Sequence, residues 1–332
     1  MAFLSKHIID MGFSATQSAL IFSAYGLAAA FSAWSSGVVA EIITPQRAMK
    51  IGLIIWVVMH SLFIYFGLQY KSYIAMIIFY GIRGLAYPLF IYSFVMLIVQ
   101  NVPAGKVSSA TGWFWAMYSV GIGVLGSYVP SLTIPWFGET GTLWFALPWV
   151  ITGGFIAIFS LKNVPADISK MNMSFNEKVK EASRAVTIIF TNKDIFLSSY
   201  IRIVNTIAVF GFAIIMPIYF VDELSFTISE WLRIWSVFFF VTIFFNVFWG
   251  VVGNYLGWMK QVRWFGCLGM CISCLLFYYL PLHFGNGFYM ALIPAILLGF
   301  SVCAFVPMTA VFPALLPEHK GQQYQFIILV QA

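Results

Sequence analysis

Charge is scarce in this chain. Only 8% of its 332 residues are Asp, Glu, Lys or Arg, while 61% are hydrophobic and 19% aromatic. A soluble protein of this length would need a charged surface that these residues cannot supply, so the composition excludes an ordinary soluble domain and assigns the chain to lipid. Acidic residues are scarcest, with 11 Asp and Glu against 17 Lys and Arg, and none falls deep within an apolar run. There are no paired catalytic acids, no phosphate-binding glycine loop and no nucleophile elbow, which leaves an enzyme or a resident cofactor without support. Cysteine is limited to Cys267, Cys271, Cys274 and Cys303. The first three lie along one apolar run with no His or carboxylate beside them, so they read as small packing groups rather than metal ligands or disulfides. The net charge of +6 sits in short loops rather than on a basic and aromatic platform, which argues against nucleic acid. No cleavable leader is expected, since the first apolar run follows Ser14-Ala15-Thr16-Gln17 with no processing site.

What is present is a series of apolar runs: 17–40, 47–70, 73–100, 107–130, 141–161, 195–221, 229–256, 264–281 and 287–312. Each approaches or exceeds the roughly 20 residues that cross a ~30 Å hydrocarbon core as a helix, and none alternates as a barrel strand would. The expected fold is therefore all-α and polytopic, with nine complete membrane passes, the turn near Gln69-Tyr70-Lys71 being the least sharply marked. With residues 41–47 on the cytoplasmic side, twelve loop Lys and Arg fall inside and three (Lys6, Lys71, Arg233) outside. That bias predicts an outer amino terminus and an inner carboxyl terminus.

Gly37-Val38-Val39-Ala40-Glu41 and Gly250-Val251-Val252-Gly253-Asn254 stand 213 positions apart, end apolar runs in the same way and precede basic loops. Pro103-Ala104-Gly105-Lys106 and Pro317-Glu318-His319-Lys320 repeat at nearly the same spacing. One unit is thus present twice. Shifted back by that spacing, the 195–221 run falls mostly before residue 1; shifted forward, the 107–130 and 141–161 runs fall largely beyond Ala332. The expectation is a plan of two six-helix bundles, cut at both ends: 1–161 as an amino-terminal bundle lacking its first helix, 162–194 as a cytoplasmic linker, and 195–332 as a carboxyl-terminal bundle cut in its fifth helix. In the linker, Phe175, Val179, Ala182, Val186 and Ile189 recur at helical spacing, which predicts an amphipathic helix along the interface.

These features resemble the major facilitator superfamily of secondary transporters, whose loop after the second helix reads Gly-x-Leu-Ala-Asp-Arg-x-Gly-Arg-Arg, with a weaker copy after the eighth. Here Glu41 takes the acid position, Ile42 replaces the first Arg, and Arg47 and Lys50 keep the later basic character; in the second copy Asn254 and Tyr255 replace acid and Arg, ahead of Gly257. The resemblance implies a conformational gate at Gly37, Glu41, Arg47, Gly250, Asn254 and Gly257, and alternating access in a bacterial inner membrane. More narrowly, Arg202-Ile203-Val204-Asn205-Thr206, Phe210-Gly211-Phe212, Ser229-Glu230-Trp231-Leu232, Phe248-Trp249-Gly250 and Gln261-Val262-Arg263-Trp264-Phe265-Gly266 resemble bacterial permeases for pentitols such as ribitol and arabitol.

Within the spans, Arg83 lies about ten residues into its run, roughly 15 Å deep at 1.5 Å per residue. Such a cation faces the interior and marks a substrate path or a structural cap on backbone carbonyls. Arg202 sits nearer its cytoplasmic end and can snorkel, with Asn205 on the same face. An uncharged polyol calls for amides, hydroxyls and an aromatic wall, so Asn205, Asn246, Tyr25 and Trp113 or Trp115 join Arg83 and Arg202 as the expected substrate path around a midplane cavity. The same residues also serve as ordinary interhelical contacts. His60 reads as interfacial or structural; Gln322 and Gln323 are further polar candidates. Gly112, Gly121, Gly123 and Gly126, with Pro130 at the end of their run, would let neighbouring helices approach and slide, and Pro88 and Pro307 fall in corresponding helices. Expected partners are the bilayer, a small hydroxylated solute and protons as a coupling ion, for a monomer. With no acid deep in a span, facilitated movement fits equally. A carrier for organic acids, an exporter, or a truncated chain that transports nothing are the alternatives.

Overall fold

A computed structural model describes residues 2–102, 107–160, 177, 193–285 and 287–306. The expected interfacial helix of the linker, the 103–106 and 317–320 pair, Pro307, Gln322 and Gln323 lie outside them. In order, the helices are α1 (Leu4–Asp10), α2 (Ala15–Ile43), α3 (Pro45–Leu62), α4 (Tyr73–Arg83), α5 (Ala86–Asn101), α6 (Val107–Val120) and α7 (Val129–Ser160), then α8 (Lys193–Ile218), α9 (Ile228–Leu256), α10 (Gly269–Phe284) and α11 (Phe288–Cys303). Wide π-type turns extend α3 to Gln69, α6 to Tyr128 and α8 to Glu223, and lead into α10 over Gln261–Leu268.

Among the described residues, seven runs are long and apolar enough to cross a membrane. One of them, Ala116–Ser160, is broken at Gly138, whose φ of 68° no L-residue adopts easily, and so makes two passes. With the shorter Phe288–Cys303, the described residues make the nine passes that the runs predict. The fifth pass begins after Gly138 and the fourth runs past Pro130, which is a correction: proline at that point sits inside the helix because the surrounding wide turns absorb its missing N–H. Side chains on the outside, such as Leu27, Ile74, Val247 and Tyr289, are as apolar as those inside, as a lipid-facing surface requires.

The described residues fall into two compact units. One holds Ile8–Phe114 and Glu139–Lys193; the other holds Met1–His7, Trp115–Gly138 and Asp194–Lys320. Residues 2–7 therefore pack with the carboxyl-terminal helices: Trp231 Nε1 donates to the Ala2 carbonyl (3.0 Å), Ser5 Oγ to that of Ile214 (2.6 Å), and Lys6 pairs with Asp222 (2.8 Å). In the same unit, Gly123 meets α9 so closely that a Cβ there would stand 2.5 Å from Phe239 Cβ. Gly121 faces open space and Gly126 nears only its own helix, so the glycine run supports one close crossing rather than a sliding stripe.

Local chemistry repeats at the spacing seen in the sequence. Ser14 and Gln17 close a capping box at the start of α2, and Thr227 and Glu230 close another at the start of α9, positions 14 and 227 being 213 apart. Each box follows a left-handed residue, Gly12 at φ 103° and Ser225 at φ 59°. Each capping side chain satisfies an amide that the helix start would otherwise leave unpaired.

The helix ends match too. Thr44 (φ 77°, ψ 144°) ends α2 and Gly257 (φ 78°, ψ 137°) ends α9, again 213 positions apart. Both carbonyls accept from the amide four residues on, Ala48 N at 3.0 Å and Gln261 N at 3.2 Å. Glycine suits that backbone; a β-branched threonine is strained in it by about 1–3 kcal/mol. Thr44 Oγ1 is also buried without a partner. Replacing Thr44 with glycine loosens the unfolded chain by only about 0.5–1 kcal/mol. The T44G variant is accordingly expected to unfold at a temperature roughly 2 °C higher in detergent, and G257A at a lower one, by thermal denaturation. A lower midpoint for T44G would show that the threonine is not strained.

Candidate functional site

Helix α4 stops at Arg83 because two local features coincide. Pro88 has no N–H for the Gly84 carbonyl, and the chain tightens to three-residue bonds, Gly84 N to Gly81 O (2.9 Å) and Leu85 N to Ile82 O (3.0 Å). Gly84 there lies so close to the Tyr25 carbonyl of α2 that no Cβ could be accommodated, and Gly81 packs on Ala24. The glycines on either side of Arg83 thus bring α4 hard against α2. Ser32 Oγ donates to the Leu85 carbonyl at 2.7 Å and ties the break to α2.

Arg83 is turned inward, with only 6% of its surface exposed. Its Nη1 donates to His60 Nδ1 at 2.7 Å, and His60 Nε2 donates to the Leu143 carbonyl at 3.1 Å. A guanidinium can only donate, so Nδ1 must be the acceptor and the imidazole is the neutral Nε2–H tautomer. The guanidinium carbon lies 4.5 Å from the Tyr80 ring centre, 5.3 Å from Trp56 and 5.8 Å from Tyr25, a box of π faces that offsets part of the lost hydration. The Trp56 and His60 rings lie against each other, tilted, with centres 4.5 Å apart. No carboxylate among the described residues pairs with Arg83, and its Nε is buried without an acceptor. The cation is therefore held by geometry and left one hydrogen bond short.

The second half builds the same crossing without the cation. Helix starts at Ser72 and Gly287 stand 215 positions apart, and on that register Gly84 corresponds to Gly299. A Cβ on Gly299 would lie 2.8 Å from the carbonyl of Phe238, the counterpart of Tyr25. The next carbonyl, Phe300, accepts from Trp249 Nε1 at 2.8 Å, as Leu85 accepts from Ser32. At the remaining positions Arg83 becomes Leu298, Tyr80 becomes Ala295, Trp56 becomes Gly269 and His60 becomes Ser273. Leu298, Ala295 and Ser273 are fully buried. The crossing can thus be closed with apolar and small residues, and Arg83 with His60 is an addition peculiar to one half.

Of the residues expected along the substrate path, Tyr25 and Arg83 come together in one unit. In the other, Asn205 is 4% exposed with its Nδ2 unpaired, and Arg202 and Asn246 are half-buried. Trp113 is 67% exposed on the surface of α6, away from the Arg83 box; the Trp115 side chain lies outside the described residues. His60, read from sequence as interfacial or structural, is fully buried against Arg83. Its position 23 residues before Arg83, across one hairpin of antiparallel helices, is the signal that could have paired them. Among the gate positions, Arg47 is exposed, Gly250 faces open space and Gly257 supplies the positive φ; the side chains of Glu41 and Asn254 are outside the described residues.

The whole chain, residues 1–332, matches the Major Facilitator Superfamily. It is similar to the D-arabinitol transporter of Klebsiella pneumoniae, with 59% identity over 97% of this chain and 76% of that protein. The ribitol transporter of the same organism is likewise 59% identical, over 97% of this chain and 75% of its own length. The nucleoside transporter NupG shares the fold, with a TM-score of 0.69 at 15% identity over 99% of this chain and 82% of that one. The chain belongs to the Major Facilitator Superfamily. It is a multi-pass protein of a bacterial inner membrane that transports a solute, not an enzyme.

The crossing yields a direct expectation. Gly84→Val drives a branched side chain into the Tyr25 carbonyl and is expected to abolish monodisperse protein on size exclusion, a cost of 3 kcal/mol or more on the order of overpacking plus backbone shift. Gly250→Ala, at a glycine with nothing within 4 Å, is expected to behave as wild type. Equal behaviour of the two variants would contradict the close contact.

Proposed function

We propose that the chain takes up a small uncharged polyol, a five-carbon alditol such as D-arabinitol or ribitol, by alternating access as a proton-coupled monomer. The observation that carries this reading is the 59% identity to two transporters named for those solutes. The chemistry of the described residues supports it. A pentitol offers several hydroxyls and no charge, so it is recognised by donors and acceptors already desolvated in the protein. Each unit supplies such a donor, Arg83 Nε in one and Asn205 Nδ2 in the other, both buried and lacking a partner. Tyr25 and Tyr80 beside Arg83 give the C–H face of a polyol an aromatic surface.

The division 1–161, 162–194 and 195–332 is proposed as two moving bundles with a tether, and the gate residues Gly37, Glu41, Arg47, Gly250, Asn254 and Gly257 as the turns about which the cytoplasmic ends part. Arg202 and Asn246 serve as further polar contacts of the path, and Trp113 or Trp115 as part of its aromatic wall.

A second reading rests on Arg83 alone: a buried cation without a carboxylate partner would also suit an organic acid. Counterflow in proteoliposomes across pentitols, hexitols, pentoses and a dicarboxylate separates the two. The expected outcome is saturable exchange of a pentitol, lowered at least tenfold by Arg83→Gln or Asn205→Ala, each removing a desolvated donor worth roughly 1.4 kcal/mol or more. Exchange of the dicarboxylate with no polyol activity would overturn the polyol assignment.

A further inference from the structure

We propose that His60 is the proton-carrying group of this transporter, and that binding a proton at its Nδ1 expels the Arg83 guanidinium from the aromatic box. The inference rests on the transport reading but not on which solute is carried.

It starts from a shortage. Proton symport needs a titratable group inside the protein, and no Asp or Glu faces the Arg83 box among the described residues. The groups around the His60–Arg83 pair are Tyr80 from α4 and Tyr25 from α2, both against the guanidinium, Trp56 from the same helix as His60, and the Leu143 carbonyl from α7. A guanidinium can only donate and a phenol oxygen is a very weak base, which leaves His60 Nδ1 as the one basic nitrogen in this set.

Its two nitrogens are committed to opposite roles. Nε2–H is used on Leu143, and the Nδ1 lone pair is used by Arg83 at 2.7 Å. A proton from water on the acidic side can attach only at Nδ1. Forming that N–H removes the acceptor for Arg83 and sets two cations at hydrogen-bond distance in a site shielded from water. The imidazolium keeps its bond to Leu143, so Arg83 is the group that moves, from a place already one bond short at Nε. Loss of the proton from Nδ1 to water on the other side restores the acceptor and draws Arg83 back into the box. The device is a charge exchange in one pocket: either the proton or the guanidinium occupies the space beside Nδ1.

The second half shows that the pair is not needed to close the helix crossing, because Ser273 and Leu298 stand at the two positions. A structural role alone would not require a base opposite a cation.

Two measurements on the full chain test this. In proteoliposomes, a gradient of one pH unit, acid outside, corresponds to about a tenfold concentration ratio for one proton per solute. Wild type is expected to accumulate pentitol close to that ratio. His60→Asn, whose amide oxygen still accepts from Arg83, is expected to lose the accumulation while counterflow falls less than threefold. The second measurement needs no solute. The Trp56 ring lies against His60, centres 4.5 Å apart, so protonation of the imidazole is expected to quench Trp56 fluorescence on acidification, a step absent from both His60→Asn and Trp56→Phe. Gradient-driven accumulation retained by His60→Asn, loss of counterflow and accumulation together in it, no dependence on the gradient in wild type, or a fluorescence step that survives Trp56→Phe would each overturn the proposal. Failure of wild type to exchange any polyol, with the Trp56 step intact, would instead overturn the solute assignment and leave the proton site standing.

Discussion

A guanidinium buried in a lipid-embedded helix bundle is the constraint around which one half of this protein is arranged. Removing such a group from water is expensive, and attraction to a neighbour repays it only with good geometry. Here the cost is shared among a neutral imidazole, three aromatic faces and the break in α4. The break depends on Pro88, the close approach on Gly84, and the orientation of His60 on the Leu143 carbonyl. Four helical segments thereby meet at one side chain. Because Nε remains unpaired, the arrangement stops short of complete satisfaction, which is what a site that must also bind or move requires.

Duplication supplies the internal control. Capping boxes, left-handed helix ends, glycine contacts with a facing carbonyl and a side-chain bond to the next carbonyl recur in both halves. These are solutions to problems any membrane helix pair has: unpaired backbone at the ends, and close approach without a hydrophobic driving force. Where the halves differ, at Arg83 and Leu298 or His60 and Ser273, packing alone does not dictate the choice. That asymmetry is the ground on which the intramembrane cation is proposed as a site.

Much of this was legible in the sequence. The passes followed from run length, and the repeat from Gly37 to Glu41 against Gly250 to Asn254, because lipid forces every backbone group into helices and leaves hydropathy as a clear record. Arg83 stood out because a charge in an apolar run has few neutral explanations. What escaped was partnership. His60 near a helix end could face headgroups or protein, and only the antiparallel α3–α4 hairpin brings it to Arg83. Pro130 read as an end and sits within a helix, since wide turns after Val120 absorb it, while the actual break needed the positive φ of Gly138. The importance of Thr44 was hidden for a similar reason: a β-branched residue in a glycine conformation leaves no trace in hydropathy.

The central claim is that Arg83 and His60 serve transport rather than the fold. The most direct measurement is to give the first half the second half's residues, Arg83→Leu with His60→Ser in one chain, and to follow thermal stability and pentitol uptake together. Because both partners of the buried pair are removed and the second copy shows the apolar version can be closed, stability is expected within about 1–2 kcal/mol of wild type. Uptake is expected to be lost. A double variant that unfolds, or one that keeps wild-type uptake, would contradict the account.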